Sequence, residues 1–467
     1  MEFNLADLWE GVVDTVPDSE ALVCGDRRLT FSQADERINR LAHALADRGI
    51  GAGDHVALYL YNGTEYLEGM LAAFKIRAVP INVNYRYVAE ELRYLLDDSD
   101  TTAVVCHRTF APTLASVGAS VPGLRTTLVV EDGSDADLTG LDAVDYEAAL
   151  AAASAARDFG PRSADDLYIL YTGGTTGMPK GVMWRQEDIF FGAFGGGGLA
   201  APITTPEEIG DRARGGGLRC LPACPFMHGT AHWMAFLTLY AGAAVVISPD
   251  RSLDPQRVWE LVSAEHVGFL VIVGDAMGRP LVEALDALPE GVDLSGLTVL
   301  LSGGAILSPP VKEAFAARLP HTMLLDGFGS SEAGGQGQMV VGDPDALSSQ
   351  PRFRVNAETT VLTDDFTPAP VGTVGKLARR GRIPLGYYHD PVKSAATFPV
   401  VDGVRWSVPG DDARLEEDGT ITILGRGSVS INSGGEKVYP EEVEGALKSH
   451  PSVFDAVVVG VPDDRWG

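Results

Sequence analysis

A glycine- and threonine-rich run directly after an apolar segment is the feature that most constrains this chain. Leu167-Tyr168-Ile169-Leu170-Tyr171 reads as a buried strand, and it continues into Thr172-Gly173-Gly174-Thr175-Thr176-Gly177-Met178-Pro179-Lys180-Gly181. Glycines let the backbone fold tightly with its N–H groups converging, threonine hydroxyls add donors, and Lys180 supplies a positive charge. The run therefore predicts a loop that binds the phosphates of a nucleoside triphosphate.

The loop differs from the Walker pattern of P-loop NTPases. Pro179 precedes the lysine, and Gly181 follows it where Ser or Thr would bind magnesium. The alternative is a flexible surface loop, which explains the ordered Gly and Thr residues less well. Two further glycine clusters, 195–198 and 215–217, predict mobile surface loops by their composition.

The remaining pattern predicts an α/β protein. Val56–Leu60 reads as a buried strand, and Ser32 reads as the N-cap of an amphipathic helix. Because similar alternation recurs along the chain, we expect a large multilobed N-terminal domain of parallel-rich sheets flanked by helices, plus a small β-subdomain. At roughly 150 residues per domain, 467 residues suggest about three lobes.

After Gly425 the sequence pattern changes and predicts short strands and a helix, Pro440–Lys448. We therefore predict an N-terminal domain at 1–426 and the beginning of a small α+β C-terminal domain at 427–467. That second segment has too little apolar surface for an independent core, so we expect it to continue in a longer enzyme.

Charge and composition restrict the partners. A formal net charge of -28 would repel nucleic acid and anionic lipid, although a local pocket could still bind phosphate. The acidic N-terminus does not resemble a secretory signal, and no apolar run approaches the roughly 20 residues of a membrane span. Four scattered cysteines are too few for a disulfide framework. We expect a cytoplasmic protein with no nucleic-acid partner and no membrane span.

Six ordered motifs resemble the adenylate-forming superfamily of acyl-CoA synthetases, aryl-acid ligases, luciferases and peptide-synthetase adenylation domains. They lie at 171–181, Pro225–Gly229, Ser302–Ala305, Asp326–Glu332, Pro409–Asp411 and 425–437. The amino-acid sequences of Thr172–Arg185 and Gly425–Glu444 are most similar to the corresponding segments of actinobacterial fatty and steroid acyl-CoA ligases.

The resemblance implies a site for ATP and Mg²⁺. The implied ATP-binding residues are Thr172, Gly173, Gly174, Thr175, Thr176, Gly177, Lys180, Gly304, Ala305, Asp326, Gly327, Phe328, Ser331, Asp411, Arg426 and Lys437. Lys180, His228 and Glu332 would be catalytic, and Thr172 and Glu332 would bind Mg²⁺, which prefers hard oxygen ligands. Asp411 can accept hydrogen bonds from both ribose hydroxyls.

The resemblance also implies an acid pocket and a hinge. The pocket would contain Phe226, His228, His232, Trp233, Gly303 and Gly329. Its aromatic residues favour a ring-bearing, polycyclic or long apolar carboxylate, although such residues are also common in cores. Ser428 stands at the hinge, where the family usually has Asp or Lys. The family's catalytic lysine would lie beyond Gly467, so we expect the 467-residue chain to bind ATP but to adenylate slowly.

The implied activity is ATP-dependent conversion of a carboxylic acid to acyl-AMP, with release of pyrophosphate and then transfer to CoA. Two alternatives remain open. One is a diazotase that adenylates nitrite and diazotises an aromatic amine, and the other is a non-catalytic nucleotide-binding protein. The motifs do not specify the acid, the oligomeric state, or whether the acceptor is CoA, another thiol or an amine.

Overall fold

The structure is a computed structural model that describes residues 1–173, 178–199, 201–342, 352–426, 431–433, 436–448, 450 and 452–461. The chain divides into two compact units. The first contains Met1–Leu253 and Pro384–Pro391, and the second contains Asp254–Ile383 and Val392–Gly467. Both combine helices with sheets, which confirms the α/β class. The domain boundary at 426 stays a prediction.

The first unit has its strands in three sheets. The strands are β1 (Glu20–Cys24), β2 (Arg27–Thr30), β3 (His55–Tyr59), β4 (Val79–Asn82), β5 (Thr101–His107), β6 (Thr126–Val130), β7 (Ala143–Asp145), β8 (Leu167–Thr172), β9 (Lys180–Arg185), β10 (Cys220–Pro222), β11 (Val245–Ile247) and β19 (Gly386–Tyr387). One sheet is parallel throughout, in the order β4-β3-β5-β6-β7. Strands β3, β5 and β6 are buried along their whole length, as expected of a parallel sheet covered on both faces.

The other strands of the first unit form two further groups. Strands β2, β1, β11 and β10 are hydrogen-bonded neighbours in that order, and β19, β9 and β8 form an antiparallel sheet. The helices of this unit are α1 (Leu5–Thr15), α2 (Phe31–Ala46), α3 (Thr64–Lys75), α4 (Ala89–Asp98), α5 (Ala111–Gly118), α6 (Tyr146–Ala152), α7 (Gln186–Gly192), α8 (Ile209–Gly215) and α9 (Gly229–Tyr240).

The N-cap of helix α2 lies two residues before the predicted one. Its N-cap is Thr30, so the assignment of Ser32 was wrong. The Thr30 hydroxyl accepts the Gln33 N–H, and the Gln33 side chain accepts the Thr30 N–H in return. This reciprocal capping box satisfies two backbone donors at once, which a cap at Ser32 would not do.

The prediction of a surface loop at 195–198 was also wrong. Gly196, Gly197 and Gly198 are buried, and all four glycines of the cluster have positive φ. A Cβ on Gly196 would lie 2.6 Å from the Cβ of Pro202. Glycine is therefore required here for close packing and left-handed backbone, and not for loop mobility. The second cluster, 215–217, is exposed.

The second unit changes from parallel to antiparallel pairing along its main sheet. The strands of this unit are β12 (Phe269–Ile272), β13 (Val299–Gly303), β14 (Met323–Ser330), β15 (Gly334–Val340), β16 (Arg352–Val355), β17 (Thr359–Leu362), β18 (Val374–Arg380), β20 (Val400–Val401), β21 (Val404–Ser407), β22 (Asp411–Leu415), β23 (Ile421–Arg426), β24 (Ile431–Ser433) and β25 (Glu436–Val438). Strands β24 and β25 form a separate two-stranded sheet. Strands β12, β13 and β14 are parallel, and the strands that follow pair antiparallel.

The remaining helices are α10 (Pro255–Ala264), α11 (Gly274–Ala284), α12 (Pro309–Arg318), α13 (Pro391–Thr397) and α14 (Pro440–Lys448). Within the described ranges, none of the helices combines the length and apolar character needed to cross a membrane.

Candidate active site

The predicted phosphate loop connects the antiparallel strands β8 and β9. Thr172, the last residue of β8, lies directly opposite Lys180, the first residue of β9. The two residues that bracket the loop are therefore neighbours. Residues 174–177, which include four of the predicted ATP ligands, lie outside the described part of the chain.

A distant segment supports the lysine. Strand β19 pairs with β9, and Tyr387 lies directly opposite Val182. The Lys180 Nζ lies 5.5 Å from the centre of the Tyr387 ring, within the range of a cation–π contact. The loop lysine thus rests on an aromatic residue about two hundred positions later in the sequence.

Gly181 is required by the packing beneath the loop. A Cβ at this position would lie 2.8 Å from the Tyr171 ring and 2.9 Å from a methyl group of Ile169. The glycine after Lys180 therefore lets strand β9 lie close over the side chains of β8. This reason is separate from phosphate binding and was not visible in the sequence.

Two asparagines that the sequence analysis missed fix the backbone of the loop and of the 224–227 segment. Asn82, at the end of β4, donates from Nδ2 to the Tyr171 and Met227 carbonyls, each at 2.8 Å, and its Oδ1 accepts the Tyr171 N–H at 2.7 Å. Asn62 donates to the Cys224 carbonyl and accepts the Phe226 N–H. Each lies at or beyond the carboxyl end of a neighbouring parallel strand, where α/β sheets commonly place their sites.

His228 is the exposed histidine of the predicted acid pocket. It precedes helix α9, and within the described residues its ring has no hydrogen bond or ion pair. Desolvation by the surrounding protein and repulsion from Arg86 lower the pKa of His228. The lowered pKa favours the neutral imidazole, which can offer a hydrogen bond without a full positive charge.

His232 and Trp233 belong to an internal hydrogen-bond network. The His232 Nδ1–H donates to the Phe226 carbonyl at 2.7 Å, and its Nε2 accepts from the Tyr168 hydroxyl at 2.5 Å. The Trp233 indole N–H donates to the same hydroxyl at 2.9 Å. Burial lowers the pKa of His232 to about 4. This network connects helix α9 to the Phe226 backbone and to the Tyr168 side chain. Direct contact of an acid with His232, Trp233 or the buried Phe226 stays a prediction.

In the second unit, the predicted adenine-binding residues meet at the carboxyl end of β13, where its parallel pairing with β14 ends. Ser302 lies opposite Asp326, and Gly303 lies opposite Gly327. Gly304 and Ala305 follow β13 and are exposed. The edge of this parallel pair therefore brings together two motifs that are more than twenty residues apart, as expected for a nucleotide site.

A glycine at the start of α11 holds the Ala305 loop. Gly274 has φ +55°, in the left-handed region, and a Cβ there would lie 2.7 Å from the Ala305 Cβ. The Asp275 N–H donates to the Ile306 carbonyl at 3.0 Å. The close approach of these two segments fixes the backbone next to the predicted adenine contact.

Asp326 forms a buried ion pair. Its Oδ2 lies 2.6 Å from the Lys312 Nζ on α12, and the two side chains are 8% and 1% exposed. Burial raises the pKa of the Asp326 carboxyl, and the Lys312 charge opposes this shift. One oxygen of Asp326 is thus engaged within the protein.

The residues that follow Asp326 line the turn between β14 and β15. Phe328 packs edge-on against Phe353, with ring centroids 4.9 Å apart. Gly329 is exposed, Ser331 is half-buried and Glu332 is 9% exposed. The Ser407 hydroxyl donates to the Glu332 carbonyl at 2.5 Å, which anchors the backbone that carries this carboxylate.

The two predicted ribose ligands are directly opposite each other. Asp411 begins β22, Arg426 ends β23, and the antiparallel ladder pairs them. Lys437 lies in β25 opposite Asn432. The side chains of Arg426 and Lys437 and the whole of Ser428 lie outside the described residues.

The chain matches the family model of the AMP-binding enzymes over residues 9–388. It belongs to the AMP-binding enzyme family. This AMP-binding enzyme is 48% identical to a 3-oxocholest-4-en-26-oate–CoA ligase of Rhodococcus rhodochrous, with 100% of this chain and 85% of the relative covered. It is also 48% identical to a medium/long-chain-fatty-acid–CoA/3-oxocholest-4-en-26-oate–CoA ligase of Mycobacterium tuberculosis, covering 99% and 85%.

A solved structure shares the fold of this AMP-binding enzyme. The anthranilate CoA ligase AuaEII in complex with anthranoyl-AMP has a TM-score of 0.83 at 24% identity, covering 98% of this chain and 85% of that one. The family match and the relatives confirm the predicted membership of the adenylate-forming superfamily and the prediction of an adenylate-forming enzyme. The roles of the individual site residues stay predictions.

Proposed function

We propose that this AMP-binding enzyme is an acid–CoA ligase for an apolar carboxylate of the steroid side-chain or fatty-acid class. The observation that carries the proposal is the 48% identity, over essentially the whole chain, to ligases named for these acids. The arrangement of Thr172 opposite Lys180 supports an ATP site, because it brackets the phosphate loop with a hydroxyl and a cation.

Adenylation would join a carboxylate oxygen of the acid to the α-phosphorus of ATP. The bond from that phosphorus to the oxygen of the β-phosphate would break, and pyrophosphate would leave with the electron pair. No proton has to move, so the protein's main task is to position two anions and to offset their charge. Lys180 would offset phosphate charge, and the neutral His228 would orient the acid by a hydrogen bond.

The second step would transfer the acyl group to CoA. The thiol would lose its proton to solvent, and its sulfur would form a bond to the acyl carbon. The bond from that carbon to the phosphate oxygen would break, and AMP would leave with the electron pair. Asp411 and Arg426, which are opposite each other in the sheet, would bind the ribose of the nucleotide in both steps. Ser331, Ala305 and the backbone of Gly327 and Phe328 would also contact the nucleotide.

Mg²⁺ would be bound by the Glu332 carboxylate and the Thr172 hydroxyl together with ATP oxygens. Both side chains provide the hard oxygen ligands that this ion prefers. When bound, Mg²⁺ offsets negative charge on the phosphates. We also propose a cytoplasmic location, because all four cysteines are free thiols, which suits a reducing compartment.

A substrate panel tests the proposal. We expect pyrophosphate release with ATP, Mg²⁺ and either a steroid side-chain carboxylate or medium- to long-chain fatty acids, and acyl-CoA in the mass spectrum only when CoA is added. Benzoate and anthranilate serve as compact aromatic comparison acids. Product from nitrite plus an arylamine, with none from any acid plus CoA, would favour the diazotase. ATP binding by calorimetry without AMP formation would favour a nucleotide-binding protein.

A further inference from the structure

Asn82 connects two parts of the candidate site through a single side chain. Strand β8 lies at the edge of its sheet, so the side of its backbone that faces away from β9 needs other hydrogen-bond partners. The Asn82 amide provides them, since it accepts the Tyr171 N–H at 2.7 Å and donates to the Tyr171 carbonyl at 2.8 Å. Its second N–H donates to the Met227 carbonyl at 2.8 Å.

Each of these bonds lies one residue away from a proposed site residue. Tyr171 immediately precedes Thr172, the first residue of the phosphate-loop bracket, and Met227 immediately precedes His228. We infer that Asn82 is a positioning residue that sets the distance between the phosphate loop and the His228 segment. This inference rests on the proposed function, because it takes these two segments as the sites for ATP and the acid.

The chemistry of the side chain fits this task. An amide offers one acceptor oxygen and two N–H donors on the same flat group, and Asn82 uses all three. An aspartate in its place would lose both donors and would put a negative charge beside two carbonyl oxygens. An alanine would leave both carbonyls and one N–H without these partners.

Asn62 offers a matched comparison within the same unit. Its amide accepts the Phe226 N–H at 2.7 Å and donates to the Cys224 carbonyl at 3.0 Å. It therefore holds the segment before His228, and among the residues that the structure describes it has no hydrogen bond to Tyr171. Substitution of Asn62 should disturb the proposed acid site alone, whereas substitution of Asn82 should disturb both sites.

The experiment compares Asn82→Ala with Asn62→Ala in the full chain. The ATP dissociation constant is measured by calorimetry without acid, and kcat and KM are measured by pyrophosphate release with an acid that the wild type uses. For Asn82→Ala we expect weaker ATP binding and a fall in kcat, up to about 100-fold in kcat/KM, because displacements near 1 Å have effects of this size. For Asn62→Ala we expect a higher KM for the acid and an unchanged ATP dissociation constant.

Thermal melts give the folded fraction to which every value is scaled. Asn82→Ser, which retains one donor and one acceptor, should fall between wild type and Asn82→Ala, and it replaces the alanine variant if that variant does not fold. Two results would overturn the inference: equal changes in ATP affinity for the Asn82 and Asn62 variants, or unchanged ATP affinity and kcat for folded Asn82→Ala and Asn82→Ser.

The same measurements separate this inference from the proposed function. A wild-type protein that releases no pyrophosphate with any acid would contradict the proposed function. The comparison of ATP affinities between the two asparagine variants would still decide whether Asn82 positions the phosphate loop.

Discussion

Replacing Lys312 by methionine would leave the carboxylate of Asp326 buried without its cation. The Nζ and Oδ2 atoms are 2.6 Å apart, and the side chains are 1% and 8% exposed. At an effective dielectric constant of about 20, two unit charges at this distance attract each other by about 6 kcal/mol, part of which offsets their desolvation. Removing one partner of such a pair costs about 3–5 kcal/mol. We expect Lys312→Met to lower the free energy of unfolding by that amount.

The pH dependence of this defect follows from the pKa of Asp326. Burial already raises this pKa, and loss of Lys312 would raise it further because the cation favours the charged carboxylate. A carboxyl with a raised folded-state pKa binds its proton more tightly in the folded state. Its stabilising effect is therefore present at low pH and is lost as the pH rises through the folded-state pKa. The defect should shrink as the solution is acidified.

Urea unfolding of wild type, Lys312→Met, Asp326→Asn and the double variant would measure the coupling. The double variant should be more stable than Lys312→Met, since it has no unpaired buried charge. Arg318→Met on the same helix is the control, because the Arg318–Asp286 pair is largely exposed and its loss should have no clear effect. A loss below about 1 kcal/mol for Lys312→Met, or strictly additive effects, would refute the reasoning about this buried pair.

Two further predictions concern the first unit. Gly181→Ala should lower the free energy of unfolding by about 1–3 kcal/mol and weaken ATP binding, because its Cβ would overlap the Tyr171 ring. Gly160→Ala is the control: its Cβ would have open space around it, so it should match wild type in both assays. Equal behaviour of the two variants would contradict the packing argument. The pKa of His232 is lowered to about 4. Its neutral form should therefore contribute on the order of 3 kcal/mol to the free energy of unfolding above about pH 6.5, and this contribution should be lost as the pH falls towards 4. Urea unfolding between these pH values should give a shallower dependence for His232→Asn, and an unchanged slope would exclude His232 as its source.

Local patterns in the sequence were sufficient for the main elements near the site. The apolar run Leu167–Tyr171 is strand β8 with one added residue, and the motifs around Gly303 and Gly327 lie on adjacent strands, directly opposite each other. Glycine runs were harder to interpret, because composition does not distinguish a glycine that gives mobility from one, such as Gly196, that permits close packing.

Polar residues with internal partners were the ones that the sequence could not identify. An asparagine at the end of a strand, such as Asn82, is typical of an ordinary turn. Its three hydrogen bonds depend on segments about 90 and 145 residues away. Lys312 has the pattern of an exposed helical lysine, yet it is 1% exposed because Asp326 lies beside it. These contacts arise from tertiary structure, and no local periodicity encodes them.

Strand β19 has a consequence for how the first unit folds. Gly386–Tyr387 completes the sheet that contains β8 and β9, although most of this unit ends at Leu253. During synthesis, about two hundred further residues must therefore be added after β9 before its outer edge is paired. Such long-range pairing slows folding, and an open strand edge favours association between chains. A fragment ending at Leu253 should therefore be prone to aggregation, and a separate peptide spanning Pro384–Pro391 should reduce it.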